Sequence, residues 1–80
     1  MQEPEIYSQL NKVFRDLFDD DGIELTPQTN ANDIEGWDSL AHINLIVALE
    51  AKFKIKFKTA EIESLHNVGN LVDVIARKSA

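Results

Sequence analysis

The chain has 80 residues, a formal net charge of −6, 44 % apolar residues and no cysteine. A chain of this length makes one domain, residues 1–80, that buries about 60 % of its unfolded surface and has little room for an enclosed active site. Disulfides and thiolate metal sites are excluded, two histidines in no ligand spacing argue against zinc, and no stretch reaches the roughly 18 apolar residues of a membrane span.

The N-terminus shows no charged-then-apolar signal segment, so the expectation is a cytoplasmic protein. Its charge is uneven. Residues 1–38 hold ten acids and two bases, and residues 39–80 hold four acids and six bases. An acidic field of this kind disfavours nucleic acid and speeds encounters with basic proteins, although it also serves solubility alone. The expectation is a monomer that binds neither nucleic acid nor membrane.

Ile6, Leu10, Val13, Phe14 and Leu17 recur at helical spacing and predict a first amphipathic helix over roughly residues 4–18, with Pro4 in its first turn. Asp19-Asp20-Asp21-Gly22 follows as its stop. Acids oppose the dipole at a helix C-terminus, and glycine ends helices there. Aligned as a calcium loop, Gly22 puts Leu17 at position one and Gln28 at position twelve, so the calcium pattern fails. Residues 19–37 read as a long ordered crossover, pinned by Ile23, Leu25 and Ile34.

A second helix is predicted from Ser39 to Phe53, with Asp38 as N-cap. Lys52-Phe53-Lys54-Ile55-Lys56-Phe57-Lys58 alternates as a strand does. A lone strand has no pairing partner, so Ile55 and Phe57 are expected to tuck under the helices instead. The lysines either keep this segment from pairing with other chains or form a recognition patch. Thr59 is the expected cap of a short third helix containing Ile62 and Leu65. Asn67 is the expected cap of a fourth, with Val68, Leu71, Val72 and Ile75 inward and Arg77 and Lys78 in its last turn. The predicted fold class is all-α: three main helices plus a short one, with a long loop between the first two.

Ser39 stands in Gly36-Trp37-Asp38-Ser39-Leu40, directly before an apolar helix pattern. A hydroxyl there lies among free N–H groups and the positive end of the dipole, a setting that favours an attached phosphate. The helix behind it is apolar on two sides. At about 100° per residue, Leu45, Ile46, Leu49 and Phe53 share one side, and Leu40, Ile43 and Val47 share the other with Asn44 and Ala51. A small bundle needs one apolar face. The second stripe therefore reads as a contact surface for other proteins, unless neighbouring helices cover it.

Rival readings are weaker. A hydrolase needs a base on Ser39. His42 points by the helical count toward the core under Trp37, nothing brings His66 close, and no Gly-x-Ser-x-Gly turn surrounds the serine. Trp37 is expected to pack the crossover against the helices. A non-turnover interaction module needs the apolar stripe but not Ser39.

Asp38-Ser39-Leu40, the helix ending Ala48-Leu49-Glu50-Ala51-Lys52-Phe53, and Asn67-Val68-Gly69-Asn70-Leu71-Val72-Asp73-Val74-Ile75 together resemble the acyl carrier proteins and the related carrier domains of polyketide and nonribosomal peptide assembly. The resemblance runs over roughly residues 4–77. It implies a four-helix bundle, no catalytic activity of its own, and a 4′-phosphopantetheine arm moved from coenzyme A onto Ser39 by a separate transferase. Asp38 and Leu40 flank the attachment point. Leu40, Ile43, Asn44 and Val47 match positions that meet partner enzymes, those that load, condense or transfer acyl groups. The implied function is to hold acyl intermediates as thioesters in fatty acid or specialised polyketide-type biosynthesis. The alternative is a stand-alone peptidyl or aminoacyl carrier. Ala41, Asn44, Ala51 and Lys52 stand where typical fatty-acid carriers are often acidic, leaving Asp38 and Glu50. That departure argues for a specialised carrier serving a dedicated pathway.

Overall fold

A computed structural model of the chain describes residues 2–79. Four helices follow one another, α1 (Glu3–Leu17), α2 (Ser39–Phe53), α3 (Thr59–Glu63) and α4 (Val68–Lys78), with no strand among the described residues. α1 is built by Ile6, Leu10 and Phe14, spaced four apart so that one stripe is buried. Pro4 sits in its first turn, where a missing N–H costs nothing. α1 packs against both α2 and α4. Their buried residues, Leu45, Ile46 and Leu49 of α2 and Val68, Leu71, Val72, Val74 and Ile75 of α4, close one core with it. Each such side chain taken fully out of water stabilises by about 1.5–3 kcal/mol before entropy is counted.

α1 does not stop at Gly22. Asp19 takes the left-handed conformation (φ +51°), and the amide of Asp20 donates back to the carbonyl of Arg15 (3.1 Å). Aspartate tolerates this backbone region better than most side chains, so the reversal comes three residues before the glycine.

The crossover between α1 and α2 is ordered because α1 and α4 hold it. Arg15 Nε donates to the Ile23 carbonyl (2.8 Å), and the Leu25 amide donates to Asn11 Oδ1 (3.0 Å). Further on, the amides of Val68 and Gly69 donate to the carbonyls of Thr29 (2.8 Å) and Pro27 (3.0 Å). These are first-turn donors of α4, which have no partner within their own helix. Ile23, Leu25 and Ile34 are buried beneath. The crossover also contains one 3-10 turn, Ala31–Asp33, closed by Asn30 and Asp33 in a capping box. Three residues without apolar periodicity give no pattern for a sequence reading to detect.

After α2, Lys54 adopts the left-handed conformation (φ +57°) and the chain doubles back. The Ile55 amide donates to the Glu50 carbonyl (3.2 Å), and the Phe57 amide to Glu50 Oε2 (2.8 Å). Ile55 and Phe57 are buried, while Lys52, Lys54, Lys56 and Lys58 are exposed. The alternation thus records one buried side of a loop. Thr59 is the first residue of α3 and not its cap: Lys58 occupies the cap, and Glu61 Oε1 accepts from the Lys58 amide (2.8 Å). Leu65 lies beyond the end of α3, in the turn to α4, because the helix closes at Glu63. Asn67 caps α4 as expected, its Oδ1 accepting from the Asn70 amide (2.8 Å).

Candidate functional site

The turn before α2 is made by Gly36, whose φ of +90° lies where a side chain is strained. The amide of Asp38 donates to the Gly36 carbonyl (3.1 Å) and that of Trp37 to Ile34 (3.3 Å). Asp38 then caps α2: its Oδ1 accepts from the Ala41 amide (2.8 Å), and its carbonyl accepts from the His42 amide (2.9 Å). Ser39 is the first residue of the helix and is exposed. The amides of Ser39 and Leu40 donate to no acceptor among the described residues. Hydroxyl, unpaired N–H groups and helix dipole therefore meet at one solvent-facing point.

An open cleft of about 530 Å³ begins at this point. Trp37, Ser39, His42 and Ile43 form one side, and Ile62 and Leu65 form the other. The far side was not legible in the sequence. Ile62 and Leu65 are two half-buried apolar residues on a five-residue helix and the turn after it, and no local spacing relates them to Ser39. α3 buries no residue completely. It is tied to α4 by the Glu61–Lys78 pair (2.9 Å). The Lys58 amide first, and Lys78 second, hold the Glu61 carboxyl below its ordinary value.

Among the described residues no hydrogen bond joins His42 to Ser39. Its Nδ1 accepts from Trp37 Nε1 (3.2 Å), and its ring stacks with the indole at 6.1 Å and 20°. His66 is exposed at the rim of the cleft. Trp37 packs edge-on against Phe14 (5.2 Å) and tilted against Phe18 (6.2 Å), so it does fasten the crossover to α1.

Along α2 the two apolar sides separate fully. Leu45 and Leu49 have no exposure and Ile46 has 3 %, whereas Leu40, Ile43 and Val47 are 71 %, 52 % and 59 % exposed. Neither α1 nor α4 covers them. Asn44, Ala51 and Lys52 are exposed as well. Glu50 is half-buried, and its carboxylate is engaged by the Phe57 amide.

Residues 8–75 match the family model described as a phosphopantetheine attachment site. The chain is 32 % identical over its whole length to an acyl carrier protein of Guillardia theta, 99 % of which is covered. It is 28 % identical to an acyl carrier protein of Thermotoga maritima, across 92 % of this chain and 91 % of that one. Among solved structures, a holo acyl carrier protein from Geobacter metallireducens, determined in solution by NMR, is 53 % identical. It superposes with a TM-score of 0.85 over 90 % of this chain and 83 % of that one.

Proposed function

Since the chain belongs to the family of proteins with a phosphopantetheine attachment site, as an acyl carrier protein, we propose that Ser39 is the residue that bears the arm. The observation that carries this reading is the position of Ser39. It is an exposed hydroxyl at the first residue of a helix whose free amides face the same solvent, at the mouth of a cleft. The residues present suit a phosphodiester, because the unpaired amides of Ser39 and Leu40 and the positive dipole end favour its charge. Asp38 holds the helix start in place, and its cap leaves the Ser39 hydroxyl outside the helix hydrogen bonds. When bound, the arm supplies the thiol on which cargo is carried, a group the chain lacks.

Leu40, Ile43, Asn44 and Val47 are the proposed docking surface for the phosphopantetheinyl transferase and for the enzymes that load, condense or transfer acyl groups. Three exposed apolar side chains on one side of a helix, beginning beside the attachment point, support this. The pathway we infer is fatty acid or specialised polyketide-type biosynthesis, with the surface of α2 favouring the specialised one. Of the two acids left along α2, Asp38 caps the helix and Glu50 is taken up by the Phe57 amide. Docking is then mainly apolar, with little to offer a basic partner patch. The relatives' names favour acyl over aminoacyl cargo.

The test is incubation with coenzyme A, magnesium and a broad-specificity transferase, followed by intact mass. One added phosphopantetheine on the wild type, and none on Ser39→Ala, is expected. An unaltered wild type, or a modified Ser39→Ala, overturns the reading. Loading with acyl and aminoacyl substrates then separates the cargo classes.

A further inference from the structure

We propose that Trp37 and His42 form a clasp across the attachment turn and act as positioning residues for modification of Ser39; this rests on the assignment of Ser39 above. The clasp brackets the serine in sequence, with Trp37 two residues before it and His42 three residues after. Trp37 is fixed from behind by Phe14 of α1 and by Phe18, the residue that follows that helix. Its indole N–H reaches forward to His42 Nδ1 (3.2 Å), with the two rings stacked. The crossover is thereby joined to the first full turn of α2 by a side-chain bond that spans Asp38-Ser39-Leu40-Ala41. The backbone alone does not supply such a tie. Gly36, with φ +90°, lies directly upstream, and the other fastenings at this turn are the Asp38 cap and short-range backbone bonds (Trp37 to Ile34, Asp38 to Gly36, His42 to Asp38), none of which reaches from Trp37 to His42.

The chemistry of the bond is specific. An indole N–H only donates, so His42 must present an unprotonated Nδ1, which places the neutral ring's proton on Nε2. Phe14 and Phe18 bring no charge to this contact. The titratable side chains sharing the cleft with His42 are Asp38 on its own helix start, Glu63 of α3, and His66 in the turn before α4.

With the clasp made, Ser39 is presented to the transferase in one geometry. Without it, the turn samples others, and apparent affinity falls by the fraction of molecules that are competent. Loss of a neutral hydrogen bond of ordinary strength shifts the equilibrium of the turn by about three- to ten-fold, which is the ceiling on the rise in KM for the carrier substrate, with kcat little changed.

The experiment measures the kinetics of phosphopantetheine transfer to four proteins: wild type, Trp37→Phe, His42→Leu and His42→Gln. Trp37→Phe keeps an aromatic ring on Phe14 and Phe18 but removes the donor. His42→Gln restores an acceptor and His42→Leu does not. Raised KM in Trp37→Phe and His42→Leu, with kcat retained and KM recovered in His42→Gln, is expected. The indole N–H resonance of the unmodified protein supplies a reading free of the transferase. Its solvent exchange is slow in wild type and in His42→Gln, and fast in His42→Leu. Equal KM across all four, or a loss confined to kcat, overturns the clasp while leaving Ser39 assigned. A wild type that accepts no arm overturns the Ser39 assignment and the positioning role together, whereas the indole exchange still reports whether the bond exists.

Discussion

Single side chains set the local chemistry of this molecule, and not always in the direction of stability. The hydroxyl of Tyr7 is shut off from water and has no hydrogen-bond partner among the described residues. Burial first, then the charges of Glu3 and Asp73, push its phenol above its ordinary value. A buried hydroxyl without a partner carries its desolvation cost uncompensated. Tyr7→Phe is therefore expected to gain up to about 1 kcal/mol in urea unfolding at neutral pH. The pH dependence has a definite sign. A raised folded-state value contributes stability below the ordinary value of about 10, and that contribution is lost as pH rises through the folded value. Urea midpoints above pH 10 should fall in wild type and stay flatter in Tyr7→Phe. If the two proteins decline in parallel, the orphaned hydroxyl has been misjudged. Nothing in the sequence singled out Tyr7, because the loss of its partners is a product of packing between helices.

At the scale of the element, α2 shows how much a helical pattern can and cannot convey. Its termini, its cap and its two apolar sides all followed from spacing. Burial agrees with the reading of Leu40, Ile43 and Val47 as the outward side and with the core positions that the resemblance implied for Leu45 and Leu49. The two sides are expected to respond differently to truncation. Leu49→Ala removes a fully buried side chain and costs about 2–5 kcal/mol. Val47→Ala trims an exposed one and stays within about 0.5 kcal/mol of wild type. Thermal and urea unfolding of the pair check this, and a large loss in Val47→Ala would show that the outward side is structural after all. The misplacements fell at element ends. Asp19 reverses the chain where Gly22 was expected to, and Lys58 takes the cap expected of Thr59. In both places a hydrogen bond from a neighbour, Asp20 to Arg15 and Lys58 to Glu61, decides the boundary. Residue preference alone does not predict it.

Over the whole molecule, the crossover joins the parts that lie far apart in sequence. It is hydrogen-bonded to α1 through Arg15 and Asn11 and to α4 through Val68 and Gly69, and it delivers Trp37 and Ser39 to the cleft. Gly69 is where this arrangement is tightest. A Cβ there would stand 3.0 Å from the Pro27 carbonyl oxygen and 3.4 Å from Pro27 Cβ. The Gly69 amide holds that same carbonyl at 3.0 Å, so the neighbour has little freedom to retreat. Alanine favours a helix over glycine by up to about 1 kcal/mol, but overpacking against backbone costs about 1–3 kcal/mol. Gly69→Ala is expected to lower stability by about 1 kcal/mol in denaturant unfolding. A gain would mean that the crossover yields easily. This anchoring was invisible in the sequence, which offered Ile23, Leu25 and Ile34 as pins but no sign of the polar fastenings.

Trp37 is the one tryptophan of the chain. It borders the cleft and donates its N–H to His42. With excitation at the red edge, beyond the absorption of Tyr7, the protein's ultraviolet emission therefore arises from a single indole bordering the cleft. Arrival of a pendant group in the cleft, or withdrawal of α3 from its far side, changes the water around that fluorophore. Colour and quantum yield thus report occupancy without a dye, a tag or an altered residue.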